Sequence, residues 1–141
     1  TVRMKLSDYR QIRENIFRKN GFYEFGLAKE RVFGWNFPIS GGGYVRLSNW
    51  GFIKTLITHY IRRHDYYVFY LHPFELTRQK IPFLKELKAY DKYYTQRGIR
   101  HYNRRVEQII QMLLKNGYEF VTFEKLTQIM EAESLPVTTI S

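Results

Sequence analysis

Apolar residues recur every three to four positions in several stretches of the chain and bunch without a break in another, and these patterns predict most of its elements. Residues 51–63 (GFIKTLITHYIRR) put Phe52, Leu56 and Tyr60 on one four-residue ridge and Ile53, Ile57 and Ile61 on the next. Two adjacent ridges predict a helix buried across a broad face. Residues 100–115 carry Val106, Ile109, Ile110, Leu113 and Leu114 along one side and stop at Asn116-Gly117, which predicts a second long helix. Another is expected from Phe123 to about Glu133, with Thr122 as its N-cap and Glu124 and Lys125 in the first turn. Residues 7–19 (SDYRQIRENIFRK) place Tyr9, Ile12, Ile16 and Phe17 at helical spacing behind Ser7, with Asn20-Gly21 as a stop, and predict a first helix.

The unbroken run at 66–71 (YYVFYL) is the pattern of a strand covered on both faces, as in a parallel sheet, and Pro73 ends it. A short strand is expected at 118–121. Periodicity fades between residues 21 and 40, which predicts an irregular segment ending in an extended run at 35–39. Gly41, Gly42 and Gly43 predict a turn, after which Tyr44, Val45, Arg46 and Leu47 start a new element. Helix, buried strand, helices, strand and helix in this order predict an α/β fold with parallel strands.

At 141 residues, 44% apolar and 18% aromatic, the chain suffices for one domain with a real core. The absence of cysteine excludes a disulfide framework, a thiolate zinc site and a cysteine nucleophile, and leaves the compartment open. No stretch approaches the roughly 18 apolar residues of a membrane span, and TVRMKLSDYRQ at the start has no signal-peptide core. Net charge is +10, and residues 78–105 hold nine Lys or Arg against Glu86 and Asp91. Such a block suits an anionic partner or a solvated helical face. Within it, His101, Tyr102 and Asn103 flanked by Arg100, Arg104 and Arg105 interleave cations with an aromatic, as nucleic-acid patches do. A small basic module binding nucleic acid or an anionic polysaccharide is therefore one functional expectation.

The sharpest chemical feature is FYLHPFE at 69–75, where His72 follows the last residue of the expected parallel strand, the end at which α/β folds place functional side chains. The other histidines are His59, His64 and His101; the five-residue spacing of His59 and His64 turns them away from a shared helix face, so no metal pair is read there. The three glycines lack the Lys that a phosphate-binding loop needs.

WNFPISGGGYVRL at 35–47, VFYLHPFEL at 68–76, RHYNRR at 100–105 and YEFVTFEKL at 118–126 together resemble the C-terminal portion of the polysaccharide deacetylases of the NodB-homology group, especially the exopolysaccharide-biosynthesis branch. The resemblance covers residues 35–126, leaving an N-terminal helix and irregular segment at 1–34 and the end of the last helix with a tail at 127–141. It implies the C-terminal segment of a distorted (β/α)7 barrel, and a divalent metal, zinc or similar, that activates water against the N-acetyl group of a polysaccharide. His72 matches the histidine that protonates the leaving amine, a role imidazole suits because it exchanges its proton near neutral pH. Leu71 matches the apolar wall of the acetyl pocket.

Tyr44 and Arg46 are candidate sugar or acidic-group contacts in the glycine loop near the cleft. Glu75 is either a solvated loop charge or the partner that orients His72. The family's Asp-Asp pair and its His-x-x-x-His metal pair are missing from these residues. No metal ligand is therefore assigned, and the chain is expected to be either one part of such an enzyme or a relative inactive by itself. Part of a closed barrel would also leave sheet edges bare and favour self-association or pairing with a missing N-terminal half.

Overall fold

The computed structural model describes residues 8–77 and 86–134. Strands β1 (Arg10–Arg13), β2 (Ile16–Lys19) and β3 (Phe22–Phe25) form one antiparallel sheet in sequence order. Strands β4 (Lys29–Val32) and β5 (Trp35–Pro38) form a second, with Val32 opposite Trp35. Six helices follow among the described residues: α1 (Gly42–Leu47), α2 (Trp50–Ile61), α3 (Pro73–Leu76), α4 (Ala89–Gln96), α5 (Ile99–Lys115) and α6 (Phe123–Ser134).

This architecture overturns the expected segment of a parallel-stranded α/β barrel. Every ladder between the named strands is antiparallel, and the one parallel contact among the described residues is the isolated bridge between Gly41 and Tyr70. The helix expected at 7–19 is instead two strands of a hairpin, with Ser7 outside the described residues. Asn20 and Gly21, read as a helix stop, both have positive φ, 49° and 84°, and make the tight connection between β2 and β3. Two consecutive left-handed residues twist as a hairpin does, and Asn-Gly takes that conformation at little cost. Of the would-be helical face only Ile16 is buried, and Ile12 stays exposed. Phe33 and Gly34 (φ 47° and 84°) repeat the device between β4 and β5, inside the stretch expected to be irregular.

Neither expected parallel strand forms. Tyr66 packs with Ile16 and Met130 in a small outer core, whereas Tyr67, Phe69 and Leu71 pack on the main one, so the run at 66–71 is largely covered on both sides, with Tyr70 exposed. A strand also needs a neighbour for its backbone, and among the described residues the run gains only the pairing of Tyr70 with Ser40 and Gly42. At 118–121 the backbone leaves α5 through its C-terminal cap, with the Tyr118 amide donating to Leu113 O at 3.1 Å, and Phe120 is exposed.

The helices expected at 51–63, 100–115 and from Phe123 are all present as α2, α5 and α6. Asn49 caps α2 by accepting from the Phe52 amide at 3.2 Å, and Thr122 caps α6 through Lys125 at 3.2 Å. Both ridges of α2 reach the main core, where Ile53, Leu56, Ile57, Tyr60 and Ile61 meet Tyr102, Ile109 and Leu113 of α5. The Arg13 guanidinium ties β1 to the outer core by bonding Asp65 at 2.5 Å and Glu133 at 2.8 Å. No helix of the described residues is long and apolar enough to cross a membrane.

Candidate functional site

Gly41, Gly42 and Gly43 do not make the simple turn expected of them. Gly41 precedes α1, and Gly42 and Gly43 are its first residues. Tyr70 donates its amide to Ser40 O at 3.0 Å and accepts from the Gly42 amide at 3.0 Å, which ties the start of α1 to the end of the aromatic run. A side chain at Gly42 has no room: a Cβ there would lie 2.0 Å from Glu75 Oε2 and 2.8 Å from the Tyr102 hydroxyl. Glycine is needed here because a buried carboxylate presses on the backbone.

That carboxylate belongs to a brace. Arg46 on α1 and Glu75 on α3 have side chains 2% and 1% exposed, with Arg46 Nε donating to Glu75 Oε1 at 3.2 Å. Arg46 Nη1 donates to the carbonyls of Tyr94 at 2.9 Å and Thr95 at 3.3 Å, and also to Arg97 O. The other carboxylate oxygen, Glu75 Oε2, accepts the backbone amide of His72 at 2.9 Å. A buried ion pair is tolerated when further hydrogen bonds meet its other donors and acceptors, and here both Glu75 oxygens and Arg46 Nε and Nη1 are engaged. Gly98, at φ 79°, lets the chain pass Arg46, since a Cβ there would stand 2.4 Å from Arg46 O. Burial and then the nearby Glu75 charge push the phenol of Tyr102 well above its ordinary range; its hydroxyl is buried with no hydrogen-bond partner among the described residues.

Of the five residues singled out in the sequence, Arg46 and Glu75 are thus brought together and turned inward, where the pair holds the backbone at His72. His72 itself is exposed at the N-cap of α3. Its imidazole stacks on Phe74 (centroids 5.5 Å, 14°) and meets Tyr70 edge-on (5.5 Å, 88°). Tyr44 joins the same face, because a Cβ on Gly41 would touch both Tyr70 Cε1 at 3.1 Å and Tyr44 Cδ2 at 3.5 Å. Leu71 points elsewhere, into an apolar groove of about 850 Å³ between the 66–71 run, α5, residues 118–122 and α6. Tyr70, Phe74 and Tyr94 escaped the sequence reading. The spacing of Tyr70 and His72 was the available signal, since residues two apart share a face of an extended chain, whereas Phe74 reaches His72 from the first turn of α3.

The basic patch divides. Arg105 turns inward and donates from Nη1 to the carbonyls of Val45 at 2.6 Å, Arg46 at 3.0 Å and Ser48 at 3.0 Å; burial lowers its pKa. It closes the C-terminal end of α1, where a cation complements the helix dipole. Tyr102 is fully buried, which leaves Arg100, His101 and Arg104 on the surface. His59 and His64 serve separate acids, Glu30 at 3.2 Å and Glu14 at 3.5 Å. No group of three His, Asp or Glu among the described residues could hold a metal ion.

Fold and site define a small α+β domain in which a buried Arg–Glu pair braces an exposed histidine beside tyrosine rings. The sequence matches, over residues 6–128, the family described as a domain of unknown function (DUF3473), and the chain belongs to that family. No curated protein and no solved structure matches it.

Proposed function

We propose that this chain is part of a metal-dependent polysaccharide N-deacetylase, and that His72 protonates the sugar amine as the amide bond breaks. The reaction adds the oxygen of water to the acetyl carbon, breaks the carbon–nitrogen bond and releases acetate. The amine leaves with the proton that the imidazole supplies. The observation that carries this reading is the placement of His72: solvent-facing, between two aromatic rings, with its amide fixed by a carboxylate that is itself locked by Arg46. A fixed backbone holds the imidazole near one position at little cost when substrate arrives.

The described residues do not fit the metal that such chemistry uses, so no step is assigned through it and its ligands are sought outside them. The resemblance of the four sequence motifs to the NodB-homology group supports the substrate class, an N-acetylated polysaccharide. The test is His72→Ala in the longest natural form of the protein, with acetate release from an N-acetylated glycan as the readout. General acid catalysis contributes about 10²–10⁴-fold, and a loss in that range is expected. Unchanged release would remove His72 from the reaction.

A further inference from the structure

The glycine segment and three tyrosines form a shallow dish. Gly41 and Gly43 lie in its floor; Tyr44 and Tyr70 flank Gly41, and a Cβ on Gly43 would come 3.3 Å from the Tyr94 hydroxyl. Each ring is between two-fifths and one-half exposed: Tyr44 48%, Tyr70 43% and Tyr94 42%. Two of the three are tethered where they stand. Tyr70 is held by the paired backbone contacts with Ser40 and Gly42, and the Tyr94 carbonyl is gripped by Arg46, whose guanidinium also lies 5.9 Å from the Tyr94 ring centre. Rings fixed in this way lose little entropy on binding.

We infer that this dish is a pyranose-binding subsite, in which the C–H face of a sugar ring stacks on Tyr70 and Tyr44 and the phenol hydroxyls meet sugar hydroxyls. The inference rests on the glycan reading above and extends it, since Tyr70 touches the His72 ring and so joins the dish to the proposed acid. A sugar presents alternating apolar faces and hydroxyl edges, and tyrosine is the side chain that answers both. Stacking of nucleic-acid bases would use the same rings but needs cations beside them for phosphate. Three cations around the site are turned to protein groups: Arg46 to Glu75, Arg105 to three carbonyls, and Arg97 to the ring and hydroxyl of Tyr93.

The experiment titrates the whole chain with an N-acetylglucosamine tetramer and follows saturation transfer to the sugar C–H protons by NMR. Transfer to ring protons is expected, with affinity about three- to tenfold weaker in Tyr70→Ala and in Tyr44→Ala, the range of one aromatic contact. Tyr70→Phe keeps the stacking face and should bind close to the parent. Circular dichroism verifies that each variant is folded. A tetramer that does not bind, or that binds equally to parent, Tyr70→Ala and Tyr44→Ala, overturns the subsite. So does a single-stranded DNA oligomer that binds with the same Tyr70 dependence while the sugar does not. Sugar binding through Tyr70 without acetate release in the longest natural form would refute the deacetylase reading and leave the subsite standing. Release unaffected by Tyr70→Ala would do the reverse.

Discussion

Glu75→Gln removes one charge and one acceptor from the brace. The amide oxygen of the new side chain would still accept the His72 amide, and side-chain volume is conserved. What is lost is the countercharge to a guanidinium whose side chain is 2% exposed, together with the acceptor of Arg46 Nε, which would face the amide NH2. Removing one partner of a buried pair costs about 3–5 kcal/mol, because the other charge remains desolvated and uncompensated. Arg46 keeps its carbonyl acceptors on Tyr94, Thr95 and Arg97, which favours the lower end, about 3 kcal/mol. Against the roughly 5–15 kcal/mol by which domains are stable, that is a large fraction.

Urea unfolding followed by circular dichroism should show a lower midpoint with an unchanged slope, since the exposed surface is the same. The thermal midpoint should fall by on the order of 10 °C. Arg46→Met in the same background removes the stranded charge, and the double variant should be more stable than the sum of the single losses implies, with a coupling of about 0.5–3 kcal/mol. A loss below about 1 kcal/mol for Glu75→Gln, or strict additivity in the double variant, would show that the pair is not the brace described.

Alkaline pH should unfold the protein. Burial raises the phenol of Tyr60 to about 12 and pushes Tyr66, Tyr67 and Tyr102 up further, so the folded state keeps protons that the unfolded chain releases near pH 10. Stability is full below about pH 10 and falls as pH rises toward 12; phenolate absorbance should therefore grow together with loss of helix, and early independent ionisation would contradict it. Among the glycines, Gly21→Ala meets no atom within 4 Å and should lose only the conformational preference at positive φ, about 1 kcal/mol. Gly98→Ala adds a clash with the Arg46 carbonyl and should cost clearly more in the same urea titration; equal losses would refute the close approach.

Helices α2, α5 and α6 were legible because their information is local. The doubled ridge of α2, the apolar side and glycine stop of α5 and the Thr122 cap of α6 each lie within one or two turns of chain, and the structure bears them out. Asn20-Gly21 shows where local information divides, since the same dipeptide ends a helix or turns a hairpin. Which one forms depends on whether Ile16 is buried by Tyr66 and Met130, residues far along the chain. The run at 66–71 failed as a strand for the same reason, as its composition reports burial but not whether a neighbouring backbone is there to pair with. His72 could be singled out from its place before a proline, yet its surroundings could not. Arg46 and Glu75 stand 29 positions apart, and the sequence suggests a ligand contact for one and a loop charge or a partner of His72 for the other, but not a pair with each other. Only the packing of α1 and α3 against α5 turns them inward and sets tyrosine rings around a glycine floor. Local pattern was enough for α2, α5 and α6 and for singling out His72; which charges are buried follows from the packing, because desolvation depends on everything that folds around a group.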